Sequence, residues 1–140
     1  MTTEQVLAHR PSRLGRRLTV LAVVAFARVL AHRSPDLICR VLRRISRGAR
    51  PATRQEAAAA RRDTVANSAF CAGPVGCLPR SIATALLCRQ RGAWPDWVAG
   101  VRRHPPFGAH AWVEVDGVAV DEPYPDGFHI PMLTVRSPSR

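Results

Sequence analysis

Apolar residues recur every three or four positions through the first part of the chain. Leu14, Leu18, Leu21, Val24 or Ala25, and Arg28 or Val29 keep helical spacing. Ser34 then supplies an N-cap and Pro35 a first helical residue. The stripe Leu37, Ile38, Val41, Leu42 and Ile45 predicts a second helix that ends at Gly48. Thr53 and Glu56 stand in capping-box positions at the head of TRQEAAAARRDTVANSA, a third predicted helix. Residues 1–64 therefore read as a helical N-terminal region.

The pattern changes after about residue 68, where glycine, proline and tryptophan enter. CLPRSIATALLCRQRG predicts one more helix, with Leu78, Ile82, Ala85 and Leu86 as its apolar face and Gly92 as its stop. DWVAGV reads as a strand, HPPFG as a bend, and AHAWVEVDGVAVDE as a hairpin turning at Asp116-Gly117. The tail, RSPSR, is expected to fray. Helices followed by strands predict an α+β fold. Its functional domain would span residues 65–135, with a helix packed on a small antiparallel sheet and residues 136–140 as a flexible tail.

Charge and composition narrow the functional classes. The net charge is +11, and all 21 basic residues are arginine. Such a surface attracts phosphates, anionic lipid or acidic peptide. No nucleic-acid motif is visible, and with 6% aromatic residues stacking platforms are not expected. The longest apolar run free of charge, residues 18–27, is about half the ~20 residues a membrane span needs. MTTEQVLAHRPSR carries an early acid and no apolar core before a cleavage site, so no signal peptide is expected. The expectation is a cytoplasmic protein without a membrane role, whose four cysteines are reduced thiols.

The hairpin fixes a geometry. A two-residue turn at Asp116-Gly117 pairs Val115 with Val118 and Val113 with Val120, placing four valines on one face. His110, Trp112, Glu114, Ala119 and Asp121 share the other. In that register Asp121 is diagonal to His110, within reach of long side chains. A bulge would shift the register by one and promote Glu122 instead. Adjacent Asp121 and Glu122 thus offer two candidate acids, and the regular turn favours Asp121.

Cys77 lies in GPVGCLPRS, between a Gly-rich turn and the first turn of a helix. It is a small core residue, a metal ligand or a nucleophile. Its five-residue separation from Cys71 is wider than zinc-knuckle spacing, and no second ligand pair follows. At a helix N-terminus, however, unpaired N–H groups and the dipole favour thiolate. The same N–H groups suit an oxyanion. Cys77, His110 and Asp121 would form a Cys-His-Asp set for acyl transfer. Trp112, on the His110 face, and Ser81, one turn after Cys77, are candidate substrate-binding residues. Arg80 is expected to make a structural contact, and Glu114 to be solvated. Cys39, Cys71 and Cys88 are read as structural, and His104 and His129 as loop residues without a role.

GCLPRSIATALLCRQRG followed by PPFGAHAWVEVDGVAVDE resembles the lasso-peptide leader peptidases, which are transglutaminase-like cysteine proteases. The resemblance covers roughly residues 70–135 and is sharpest in C-L-P-R-S and A-H-A-W-V-E. It implies Cys77 as nucleophile, His110 as general base and acid, and Asp121 as the orienting residue. It also implies removal of a leader peptide from a precursor, without metal or organic cofactor. A separate leader-recognition protein would act with it, and an ATP-using macrolactam synthetase, the lasso cyclase, would act downstream. The basic cluster Arg40, Arg43, Arg44, Arg47 and Arg50 then marks the helical region as the expected docking surface for the recognition partner.

Overall fold

The computed structural model describes residues 2–138, with side chains from residue 14 onward. The N-terminal region forms α1 (Thr2–Leu30), α2 (Pro35–Ser46) and α3 (Arg54–Asn67). A single turn, α4 (Ala69–Ala72), leads into α5 (Cys77–Gln90). The caps are those the sequence predicts. The Ser34 side chain accepts from Leu37 N–H, and Thr53 and Glu56 complete a reciprocal capping box.

α5 is buried on all sides from Ser81 to Cys88. A helix apolar all round must be wrapped on every side, and α1, α3 and the sheet do so. One core runs from Val20 on α1 through Leu42, Ile82 and Trp94 to Val135. The helical segment and the later segment therefore share their interior. α1 also carries an outward apolar stripe, with Leu14, Leu18 and Val29 each about 60% exposed. Among the described residues no helix is long and apolar enough to cross a membrane.

Two short strands, β1 (Arg50–Pro51) and β2 (Ala93–Trp94), pair in parallel. The main sheet is antiparallel in the order β5-β4-β3-β6, from β3 (Asp96–Arg102), β4 (Ala109–Val115), β5 (Val118–Ala119) and β6 (His129–Val135). The hairpin register is the predicted one, with Val115 opposite Val118 and Val120 N–H donating to Val113 C=O at 3.0 Å. Val113, Val115 and Val120 are buried, while Val118 at the strand edge is exposed.

Two expectations need correction. His129 is not in a loop but opens β6, which pairs with β3 across a bulge at Ala99/Gly100. Gly100 permits this approach, since a Cβ there would lie 2.2 Å from Ile130 C=O. The tail is also tied down further than predicted. Ser137 is buried, and its N–H donates to Asp96 at 2.9 Å. The last two residues, 139 and 140, lie outside the described residues.

Candidate active site

Cys77 is the first residue of α5, and Gly76 is its N-cap, with no side chain closing the helix end. The first-turn N–H groups are therefore open to a ligand. Only glycine fits at 76, because a Cβ would meet Phe70 C=O at 2.1 Å and Cys71 Cα at 2.8 Å. Arg80 reaches back from α5 and donates to Cys71 C=O at 2.7 Å, pinning the turn that presents the thiol. Arg80 is thus a structural contact, as expected.

His110 projects from β4, paired with Gly100 on β3. Its Nε2 stands 2.5 Å from Glu122 Oε1, so Nδ1 is the ring atom left for Cys77, the other group that acts on the ring. Burial pushes the Cys77 thiol up, but the His110 hydrogen bond, the Ala111 N–H and the charges of His110 and Arg80 bring it below its usual value. Burial works against a charged ring at His110, yet hydrogen bonds to Cys77 and Glu122 raise it to about 9. Glu122 is held below the usual carboxylate range: burial opposes its charge, and the His110 bond and the nearby cations outweigh burial. The surroundings shift each of the three groups toward its charged form: thiolate, imidazolium and carboxylate.

The acid beside His110 is Glu122 and not Asp121. The hairpin turn is regular, and the reason lies further along the chain. Regular β5 pairing ends at Ala119, and Asp121 takes a left-handed φ of 52° and faces solvent. That reversal turns the next side chain, Glu122, inward, where it is only 6% exposed. Its other oxygen accepts from Arg61 of α3 at 3.3 Å.

Trp112 shares the His110 face as predicted, with the two rings 5.8 Å apart and nearly parallel. Its Nε1–H donates to Glu114 at 2.8 Å, so Glu114 is partnered and not merely solvated. Ser81 does not line the cleft. It is buried, donates to Leu78 C=O and accepts from Trp97 Nε1–H at 3.0 Å. Residues absent from the sequence prediction complete the site. His129 stacks on His110 at 4.8 Å, and Tyr124 meets both imidazoles edge-on. A cleft of about 370 Å³ lies on this side of His110, lined by Trp112, Glu114, Tyr124, Asp126 and His129.

Cys39, Cys71 and Cys88 are buried and unpaired. Burial pushes Cys88 up to about 12, as for an inert core thiol. Among the described residues no three His, Cys, Asp or Glu side chains come together to hold a metal ion. Comparisons with curated proteins and with solved structures gave no match. A family model described as the transglutaminase-like superfamily matches residues 20–131, from the buried part of α1 through α5 and the hairpin to the start of β6. The chain, whose helix-borne cysteine meets a strand-borne histidine, belongs to the transglutaminase-like superfamily.

Proposed function

We propose that the chain is a cysteine endopeptidase that removes the leader from a lasso-peptide precursor, acting with a separate leader-recognition protein. The observation that carries the chemistry is the alignment of Cys77 at the head of α5 with His110 on β4 and Glu122, His110 Nε2 lying 2.5 Å from Glu122 Oε1 while Cys77 acts on the same ring. The assignment to lasso precursors draws its support from the sequence resemblance in C-L-P-R-S and A-H-A-W-V-E.

The residues divide the work as follows. Cys77 thiolate attacks the scissile carbonyl, forming a C–S bond, and the oxygen takes the negative charge. N–H groups at the head of α5 receive that oxyanion. The intermediate collapses, the C–N bond breaks, and His110 gives its proton to the departing amine of the core peptide. Neutral His110 then takes a proton from water as the water attacks the thioester. The adduct expels Cys77 as thiolate beside protonated His110, which restores the starting pair, and the leader's new carboxyl group loses its proton to solvent. Glu122 holds the ring and stabilises its charged state. Nothing beyond water is required as co-reactant.

The recognition partner would dock on the helical segment. The exposed Leu14, Leu18 and Val29 of α1 and the exposed arginines of α2 supply an apolar face with a basic rim. The macrolactam synthetase would take the freed core peptide.

The test is incubation with a candidate precursor, with and without the recognition protein, read by mass. Separate leader and core masses, formed faster with the partner, are expected. An amine adduct on an uncut or cut precursor would instead make the protein an acyltransferase. No product with a correctly folded protein and partner would overturn the peptidase assignment.

A further inference from the structure

Two arginines of α3 touch the segment that carries Glu122. Arg54 Nη2 donates to Ala119 C=O at 3.1 Å, and Arg61 Nη2 to Glu122 Oε2 at 3.3 Å. Seven residues along a helix is two turns, so both side chains leave the same face of α3, with origins about 10 Å apart. The three residue steps from 119 to 122 span at most about 10 Å. The two contacts therefore bracket the stretch in which Asp121 takes its left-handed conformation.

Beyond Val120, which is buried and donates its N–H to Val113 C=O, that stretch has little else to hold it. Ladder pairing has ended, Asp121 is exposed, and the following residues 123–127 are exposed as well. Glu122 nevertheless has a 6% exposed side chain whose two oxygens are divided between His110 and Arg61. Without Arg61, Oε2 would be a buried carboxylate oxygen with one partner fewer, and the carboxylate would be free to rotate away from the ring.

We propose that Arg61, supported by Arg54, is a positioning residue that fixes the Glu122 carboxylate on His110 and so sustains the charged Cys77–His110 pair. This rests on the catalytic assignment of those three residues. The other charged groups facing Glu122 are His110 on β4, Arg80 on α5 and His129 on β6. Arg61 acts on the pair through Glu122, which takes the Arg61 bond on one carboxylate oxygen and the His110 bond on the other.

The experiment measures Cys77 alkylation by iodoacetamide against pH, by peptide mass, together with the His110 titration by NMR, in the full chain. In Arg61→Met the rise of alkylation should move to higher pH and the His110 midpoint to lower pH, narrowing the interval between them. At pH 6 alkylation should fall about tenfold, as a one-unit move in the thiol midpoint requires. Arg61→Lys, which keeps one charged donor, should recover part of the interval. Arg62→Met, on an exposed neighbouring residue, should change neither. An unchanged interval in folded Arg61→Met would overturn the proposal, as would a widened one, which would mean that Arg61 acts only by repelling the imidazolium. A parent protein in which Cys77 alkylates like an ordinary thiol would defeat the catalytic assignment itself, independently of Arg61.

Discussion

Replacing Glu122 by glutamine, with Asp121→Asn beside it, separates the two acids that the sequence leaves open. Against burial, Cys77 and Glu122 push the His110 ring up from 6.5 to about 9. That interval corresponds to roughly 3 kcal/mol in favour of the imidazolium, against the opposing effect of burial. It is divided between the thiolate on one side of the ring and Glu122 on the other. Assigning Glu122 about half of it gives about 1–2 kcal/mol, or roughly tenfold in the proton affinity of the ring. Glu122→Gln keeps the shape of the side chain and removes its charge. The His110 midpoint should therefore fall by about one pH unit, and the rise of Cys77 alkylation should move up, because thiolate and imidazolium stabilise each other. Peptidase kcat/KM at neutral pH should fall about tenfold or more. Asp121→Asn, at an exposed side chain, should leave both titrations within about 0.2 units and activity within about twofold of the parent. NMR of labelled histidine and mass-read alkylation give the two midpoints. If Asp121→Asn collapsed the interval and Glu122→Gln did not, the inward turn at residue 121 would be wrong.

Three other outcomes follow from the packing. Gly76→Ala drives a Cβ against Phe70 C=O at 2.1 Å; a loss of about 1–3 kcal/mol in denaturant unfolding and weakened Cys77 reactivity are expected, and parent-like values of both would contradict the account. Ser81→Ala leaves Trp97 Nε1–H buried without its 3.0 Å acceptor. It should cost about 1–3 kcal/mol of stability with KM unchanged, whereas a selective rise in KM would return Ser81 to the cleft. Glu56 is lowered to about 2, first by the Arg50 hydrogen bond, with Thr53 adding to it against burial. A depressed carboxyl stabilises the fold above its unfolded value of 4.5 and loses that contribution as pH falls towards about 2. Glu56→Gln should therefore flatten the acid limb of stability between those values, and an unaltered limb would exclude the Glu56 carboxylate as its source.

Local signals in the sequence were reliable where one residue's chemistry sets the backbone. Ser34-Pro35, the Thr53–Glu56 box and Asp116-Gly117 each form the predicted cap or turn. The pairing of Val113 with Val120 followed from the turn alone. Cys77 at a helix head was legible because glycines precede it and a proline suits the first turn.

What was not legible depends on distant contacts. β6 has Pro131 in its middle and no alternation, and it is a strand because the β3 edge accepts it across a bulge at Gly100. Its His129 therefore enters the site unannounced. The exchange of Asp121 for Glu122 turns on one left-handed residue that no glycine marks, in a segment held by arginines some sixty residues earlier. Ser81 has the right helical spacing to face the cleft, but Trp97, sixteen residues on, claims its hydroxyl. Periodicity gives the face of an element and does not give the neighbour that covers it.

The central claim is that Cys77 becomes covalently acylated by the peptide it cleaves. Rapid acid quenching of the protein with a precursor and the recognition protein, followed by intact mass and peptide mapping, measures this directly. The account predicts a leader-sized thioester on Cys77 in the parent, and neither adduct nor cleavage in Cys77→Ala. Cleavage by Cys77→Ala at the parent's rate, or an adduct mapped to another residue, would contradict it.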